Sequence, residues 1–143
     1  MLIGIIGESC TGKSTLAERL KESLAAEVFT GKDYLRLAKN EAIARKLFEK
    51  KLLSAVCGEN LIYVISEQEQ LALLPQGAVR ILMGADLETI LDRFAQRMRG
   101  TLPPPVKSML EKKHGCFDCI EHDYRIYNGE GIDKVCAALE ENL

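Results

Sequence analysis

The 143-residue sequence predicts one α/β domain in three layers, a five-stranded parallel sheet covered by helices on both faces. Two observations carry that prediction. Short apolar runs alternate with amphipathic stretches five times along the chain, which is the order of βα units. The strand-like runs are apolar nearly throughout rather than at every second residue, so both of their faces must be covered. No internal repeat or linker divides the chain, and a chain of this length buries roughly 68–70% of its unfolded surface in one core.

The elements follow in order. Residues 2–6 (LIGII) form a buried strand that Gly7 ends. Residues 14–26 carry Leu16, Leu20 and Leu24 at four-residue spacing with charges between, an amphipathic helix. Residues 27–30 (EVFT) make a second short strand closed by Gly31, and residues 33–56 read as helical with a break near Asn40. Leu37, Ile43, Leu47 and Leu52 are expected to supply one face of that helix.

Residues 60–65 (NLIYVI) are the strongest strand, and residues 67–74 a short helix stopped by Pro75. Residues 78–83 (AVRILM) are a fourth strand, after which Asp86 is placed to cap a helix running through Arg97. The run Gly100 to Pro105 (GTLPPP) breaks the chain before a helix over 106–114 and fits a mobile flap. Residues 124–127 (YRIY) are a fifth strand, Asn128-Gly129 turns, and residues 132–141 close as a helix.

Composition narrows the function classes. The chain is 47% hydrophobic and 28% charged with a net charge of −2, without the basic surplus of a general nucleic-acid binder. No apolar run approaches the roughly 18 residues of a membrane span, and LIGIIG is too short for the apolar core of a secretory signal. The five cysteines (Cys10, Cys57, Cys116, Cys119 and Cys136) are odd in number and scattered, which predicts reduced thiols and a cytoplasmic location. Cys57 and Cys136 are expected in the core.

The chemistry concentrates in G-E-S-C-T-G-K-S, residues 7 to 14, which lies between the first strand and the first helix. G-x-x-x-x-G-K-S in that context is a phosphate-binding loop. Gly7 and Gly12 permit backbone angles that turn successive N–H groups inward around an anion, with Ser9, Cys10 and Thr11 acting through their backbone. The following helix adds the positive end of its dipole. Lys13 is expected to reach the β- and γ-phosphates, the Ser14 hydroxyl to coordinate Mg²⁺, and Thr15 to hold the α-phosphate. The chain is short for a motor core, and it lacks an N-K-x-D-like guanine signal.

Three further stretches resemble the small P-loop kinases of the nucleoside monophosphate kinase-like group, which includes adenylate, cytidylate and shikimate kinases. F-T-G-K-D-Y-L-R-L-A (Phe29 to Ala38) is similar to the adenylate-kinase stretch S-T-G-D-x-L-R-x-A, with Lys32 inserted. The resemblance implies that Thr30 and Arg36 contact the acceptor, Arg36 through its phosphate, while Asp33 orients the acceptor hydroxyl or acts as base. R-F-A-Q-R-M-R-G (Arg93 to Gly100) resembles the arginine-bearing LID. It implies that Arg93 flanks the adenine and that Arg97 and Arg99 neutralise charge on the migrating phosphoryl. Y-R-I-Y-N-G-E-G-I-D-K-V resembles the last strand, loop and helix of these kinases, with Asn128 and Gly129 lining the adenine pocket.

The resemblance implies a P-loop fold with strand order 2-3-1-4-5 and one domain over 1–143, its acceptor segment at about 30–59 and its LID at about 98–113. It also implies transfer of the γ-phosphoryl of Mg-ATP to a small-molecule acceptor, expected to be a nucleotide or nucleoside, by a monomer or homodimer. Two alternatives stay open: a regulatory nucleotide-binding module or weak NTPase, and a kinase for a non-nucleotide metabolite. The third strand ends Ile65-Ser66-Glu67 without the usual acidic residue, so Glu67 through water, or Asp33, is expected to position Mg²⁺. His114, Cys116, Cys119 and His122 have the residue types of a zinc knuckle, against the commoner fate of buried reduced cysteine.

Overall fold

The computed structural model describes residues 1–141. Its sheet contains β1 (Leu2–Gly7), β2 (Glu27–Thr30), β3 (Leu61–Ile65), β4 (Val79–Gly84) and β5 (Tyr124–Tyr127) in the order β2-β3-β1-β4-β5, every pair parallel. The helices are α1 (Lys13–Leu24), α2 (Glu41–Val56), α3 (Gln68–Leu71), α4 (Leu87–Arg97), α5 (Pro104–Lys113) and α6 (Ile132–Glu140). The expected strand order and five strands are therefore present. In the centre, Ile6 of β1 lies level with Ile65 of β3 and Leu82 of β4, so the loop after β1 opens beside the ends of both neighbours.

Two cores sandwich the sheet. On one face Leu16, Leu20 and Leu24 of α1, with Val135 and Leu139 of α6, cover Ile3, Ile5, Ile62, Val64 and Ile81. On the other, Phe48 and Leu52 of α2 cover Leu2, Ile6, Phe29, Tyr63 and Ile65. A third, smaller cluster joins Cys10 to Ala85, Ile90 and Leu110, with Phe94, Leu102 and Val106 against it, and so fastens α4 and α5 beside the loop.

The expected helix over 33–56 is two pieces. Residues Asp33–Leu37 form a 3-10 turn, and α2 begins only after Asn40, whose Oδ1 accepts from the Ile43 amide at 3.2 Å. Of the expected face, Leu52 is buried and Leu37 packs against the core, but the fresh start at Asn40 shifts the phase by one residue in the first half of α2, so Ile43 and Leu47 do not face inward. Ala44, Phe48, Leu52 and Ala55 are buried, whereas Ile43 and Leu47 are 52% and 44% exposed. Phe48 fixes this phase by packing among Phe29, Tyr34 and Tyr63, with ring centroids 4.8–5.0 Å apart. The helix expected over 67–74 is regular only for Gln68–Leu71. Cys136 is in the core as expected, but Cys57 is exposed because it stands at the end of α2 rather than within it.

Candidate active site

The phosphate loop leaves β1 at Gly7, which pairs with Met83 of β4. A side chain there would collide with the Met83 carbonyl oxygen, so only glycine lets the backbone pass. Cys10 and Gly12 have left-handed backbones, φ 63° and 93°, which curl the loop before α1 starts at Lys13. The Glu8 carbonyl accepts from Thr11 Oγ1 at 2.8 Å and from Lys13 Nζ, two donors on one oxygen that draw the lysine back along the loop. Lys13 is buried, and burial pushes its ammonium down to about 8, with the Arg97 guanidinium adding to the effect. The side chains of Ser9, Ser14 and Thr15 remain exposed around it.

Beside the loop is a cleft of about 280 Å³ lined by Cys10, Thr11, Gly12, Thr15, Arg93, Arg97, Gly129 and Ile132. Six of the residues read from sequence as cofactor-binding thus meet one predicted catalytic arginine, although they come from three separate stretches of chain. Arg93 Nη1 donates to the Cys10 carbonyl at 2.9 Å and so braces the loop. Arg97 is exposed one turn further along α4. Arg99 is not among the lining residues; it follows α4 with φ 57°, its backbone closing the helix end. Asn128 lies next to Gly129 but is turned to Asp86, whose Oδ2 accepts from its Nδ2 at 3.0 Å.

The acceptor-side residues are more dispersed. Thr30 and Asp33 are adjacent, with the Thr30 amide donating to Asp33 Oδ2 at 3.0 Å at the end of β2. Arg36 is turned the other way. Its guanidinium carbon lies 4.4 Å from the centre of the Phe29 ring, and its Nη2 is 3.9 Å from Glu27, the first residue of β2. That end of the strand is the opposite edge of the sheet from the loop. Glu67 is also occupied: its side chain caps α3, and its Oε1 pairs with Lys113 at 2.9 Å.

Several neighbours were not legible as site residues. A small cavity of about 50 Å³ beyond Asp33 is lined by Lys32, Tyr34, Glu41, Arg45, Glu69, Gln70 and Leu73, with Lys32 and Glu69 3.8 Å apart. Tyr63 holds the floor of this region by donating from its hydroxyl to the Gly31 carbonyl at 2.8 Å, and burial raises its pKa. His114 Nδ1 is 3.2 Å from Glu8 Oε1, which ties the end of α5 to the phosphate loop. An acidic residue inside a phosphate loop was the one sequence signal for that contact. His122 Nδ1 instead meets the Ile120 carbonyl at 3.0 Å, and among the described residues no three His, Cys, Asp or Glu side chains converge as a metal site. A larger concavity, about 860 Å³, lies at the starting edge of β4 and β5 around Arg80 and Asp123, away from the loop.

No family model matches the chain. It is 28% identical over 147 residues to a shikimate kinase of Pelotomaculum thermopropionicum, covering 85% of this chain and 82% of that protein. Among solved structures it is similar to shikimate kinase from Acinetobacter baumannii in complex with shikimate, at a TM-score of 0.66 and 15% identity over 99% of this chain and 93% of the other. It is also similar to deoxyadenosine kinase from M. mycoides with bound dATP, at a TM-score of 0.57 and 16% identity over 99% and 98% of the two chains. The fold is that of the P-loop kinases. Together with the sequence similarity to a shikimate kinase, it supports a P-loop kinase whose acceptor is unspecified. Among the described residues no helix is long and apolar enough to cross a membrane.

Proposed function

We propose that this protein moves the γ-phosphoryl of Mg-ATP to a small non-nucleotide metabolite. The observation that carries the donor half is the cleft itself, where a phosphate loop with a buried lysine opens onto Arg93, Arg97 and Gly129. The curled amides and Lys13 bind the β- and γ-phosphates, and Thr15 the α-phosphate. Ser14, a hydroxyl on the exposed first turn of α1, fits a hard cation, and it would hold the Mg²⁺ that neutralises phosphate charge. Arg97 lies in the cleft for the charge that develops on the transferring group, with Arg99 a second cation on the connection behind it. Asp33 receives the acceptor proton or orients its hydroxyl beside Thr30.

The acceptor half rests on Arg36. A nucleoside monophosphate needs a cation for its phosphate, and the arginine assigned to that task by resemblance covers Phe29 and pairs with Glu27 instead. The cavity beyond Asp33 is about 50 Å³, far below the 300–1,000 Å³ typical of drug-sized ligand sites. Its charges balance, Lys32 and Arg45 against Glu41 and Glu69. That suits a small hydroxylated acid better than a dianionic phosphate. In this reading residues 1–143 are one kinase unit, with the acceptor segment at about 30–59 and a LID at about 98–113.

The engagement of Glu67 by α3 and Lys113 favours a second reading, nucleotide binding with weak hydrolysis and no acceptor, because it leaves no free carboxylate at the end of β3. One assay separates the two. The protein is mixed with Mg-ATP and a panel of hydroxy acids, sugars, nucleosides and nucleoside monophosphates, and ADP is followed. ADP that depends on a hydroxy acid or sugar and is lost in Lys13→Ala supports the proposal. Nucleotide-dependent ADP refutes the acceptor class, and ADP formed equally without acceptor refutes the kinase.

A further inference from the structure

We infer that Asp86 is a positioning residue that holds the base-contacting turn of the nucleotide cleft in place; the inference rests on the reading that this cleft takes a nucleotide. Asp86 stands between β4 and α4, where a carboxylate ordinarily caps the helix, yet its side chain makes no capping bond. It reaches across to the end of β5 instead. Asp86 Oδ1 accepts from the Tyr127 hydroxyl at 2.5 Å, and Oδ2 accepts from Asn128 Nδ2 at 3.0 Å. The Asp86 amide donates in return to Asn128 Oδ1 at 2.9 Å, and the Asn128 amide donates to the Gly84 carbonyl at 2.9 Å.

The turn so held needs holding. Asn128, Gly129 and Gly131 all have left-handed backbones, with φ of 51°, 79° and 93°, and such a run keeps its shape only when its surroundings determine it. Gly129 on that turn and Ile132 at the start of α6 form one wall of the cleft, while Arg93 and Arg97 on α4 form another. Asp86 is the first residue before α4, so one carboxylate joins both walls. None of its bonds reaches the phosphate loop. The hydrogen bonds from Tyr127 and Asn128 also hold the Asp86 carboxyl below the usual carboxylate range, so it stays an acceptor at neutral pH.

Calorimetric titration with Mg-ATP and with Mg-tripolyphosphate separates base binding from phosphate binding. The wild-type protein is expected to prefer ATP by at least about tenfold, and Asp86→Ala to lose about that factor for ATP while tripolyphosphate affinity stays within about twofold. Tyr127→Phe removes one bond of the network and should lose about threefold for ATP alone. Asp86→Asn, which keeps an acceptor oxygen, should recover part of the loss. Equal losses for both ligands would make Asp86 a general support of α4 and overturn the inference, as would unchanged ATP affinity in all three variants. If Asp86→Ala does not fold, the same split is read from Tyr127→Phe and Asp86→Asn. A wild-type protein that binds ATP no better than tripolyphosphate refutes the nucleotide reading itself.

Discussion

Binding of a polyphosphate at the loop should be accompanied by proton uptake at Lys13. In the free protein burial leaves this lysine with a pKa of about 8 instead of 10.5. An anion placed against it offsets the burial and returns it to the charged form. If the bound-state value is 10.5 or higher, uptake should be about 0.1 proton per ligand at pH 7, about 0.5 at pH 8 and about 0.9 at pH 9. Titration with tripolyphosphate at each pH, in two buffers of different ionisation enthalpy, measures this number directly. Lys13→Met should abolish it. Uptake that is absent at pH 8 and 9, or that survives in Lys13→Met, refutes the assignment of Lys13 as the buried phosphate-facing cation. The same shift gives the pH dependence of the free protein. The folded-state value lies below the unfolded one, so the unfolded chain binds more protons between pH 8 and 10.5, and stability rises across that window.

Other outcomes follow from particular contacts. Arg97→Ala should cut turnover at least about a hundredfold while ATP affinity changes little, because the role proposed for it is to neutralise charge on the migrating phosphoryl; single-turnover kinetics that match wild type would remove it from the mechanism. Arg36→Ala should leave the acceptor KM within about twofold and cost about 0.5–1 kcal/mol in urea denaturation, the worth of an exposed cation–π contact. A tenfold rise in that KM would return Arg36 to the acceptor site. Phe48→Ala should destabilise by about 3–5 kcal/mol, whereas Leu47→Glu, one residue away, should stay within about 0.5 kcal/mol. The reverse ranking in chemical denaturation would restore the helix phase counted from Leu37.

Much of this protein was legible in the chain because the relevant signals are local. A buried strand, a glycine-rich turn and an amphipathic helix within about two dozen residues specify the phosphate loop, since its function lies in backbone N–H groups that need only the right φ angles. The alternation of apolar runs likewise specifies a parallel sheet, for strands covered on both faces have no polar side to show. In α2 Leu52 faces the core as its spacing suggests, but Ile43 and Leu47 do not, because Asn40 caps the helix afresh and the aromatic cluster around Phe48 decides which face goes in.

What tertiary structure alone decided is where long side chains go once the elements are packed. T-G-K-D-Y-L-R carries an arginine at a spacing that suits an acceptor phosphate, yet a cation with a flexible stem takes the nearest ring and carboxylate, here Phe29 and Glu27. Glu67 likewise falls to Lys113, a residue 46 positions away, and Asp86 falls to Tyr127 and Asn128 across the sheet end. Such partners leave no periodicity in the sequence, because they are neighbours only after β4 and β5 pair and α5 folds back over the loop. The phosphate loop is therefore written in consecutive residues, and the rest of the site in how distant ones compete for each other's charge.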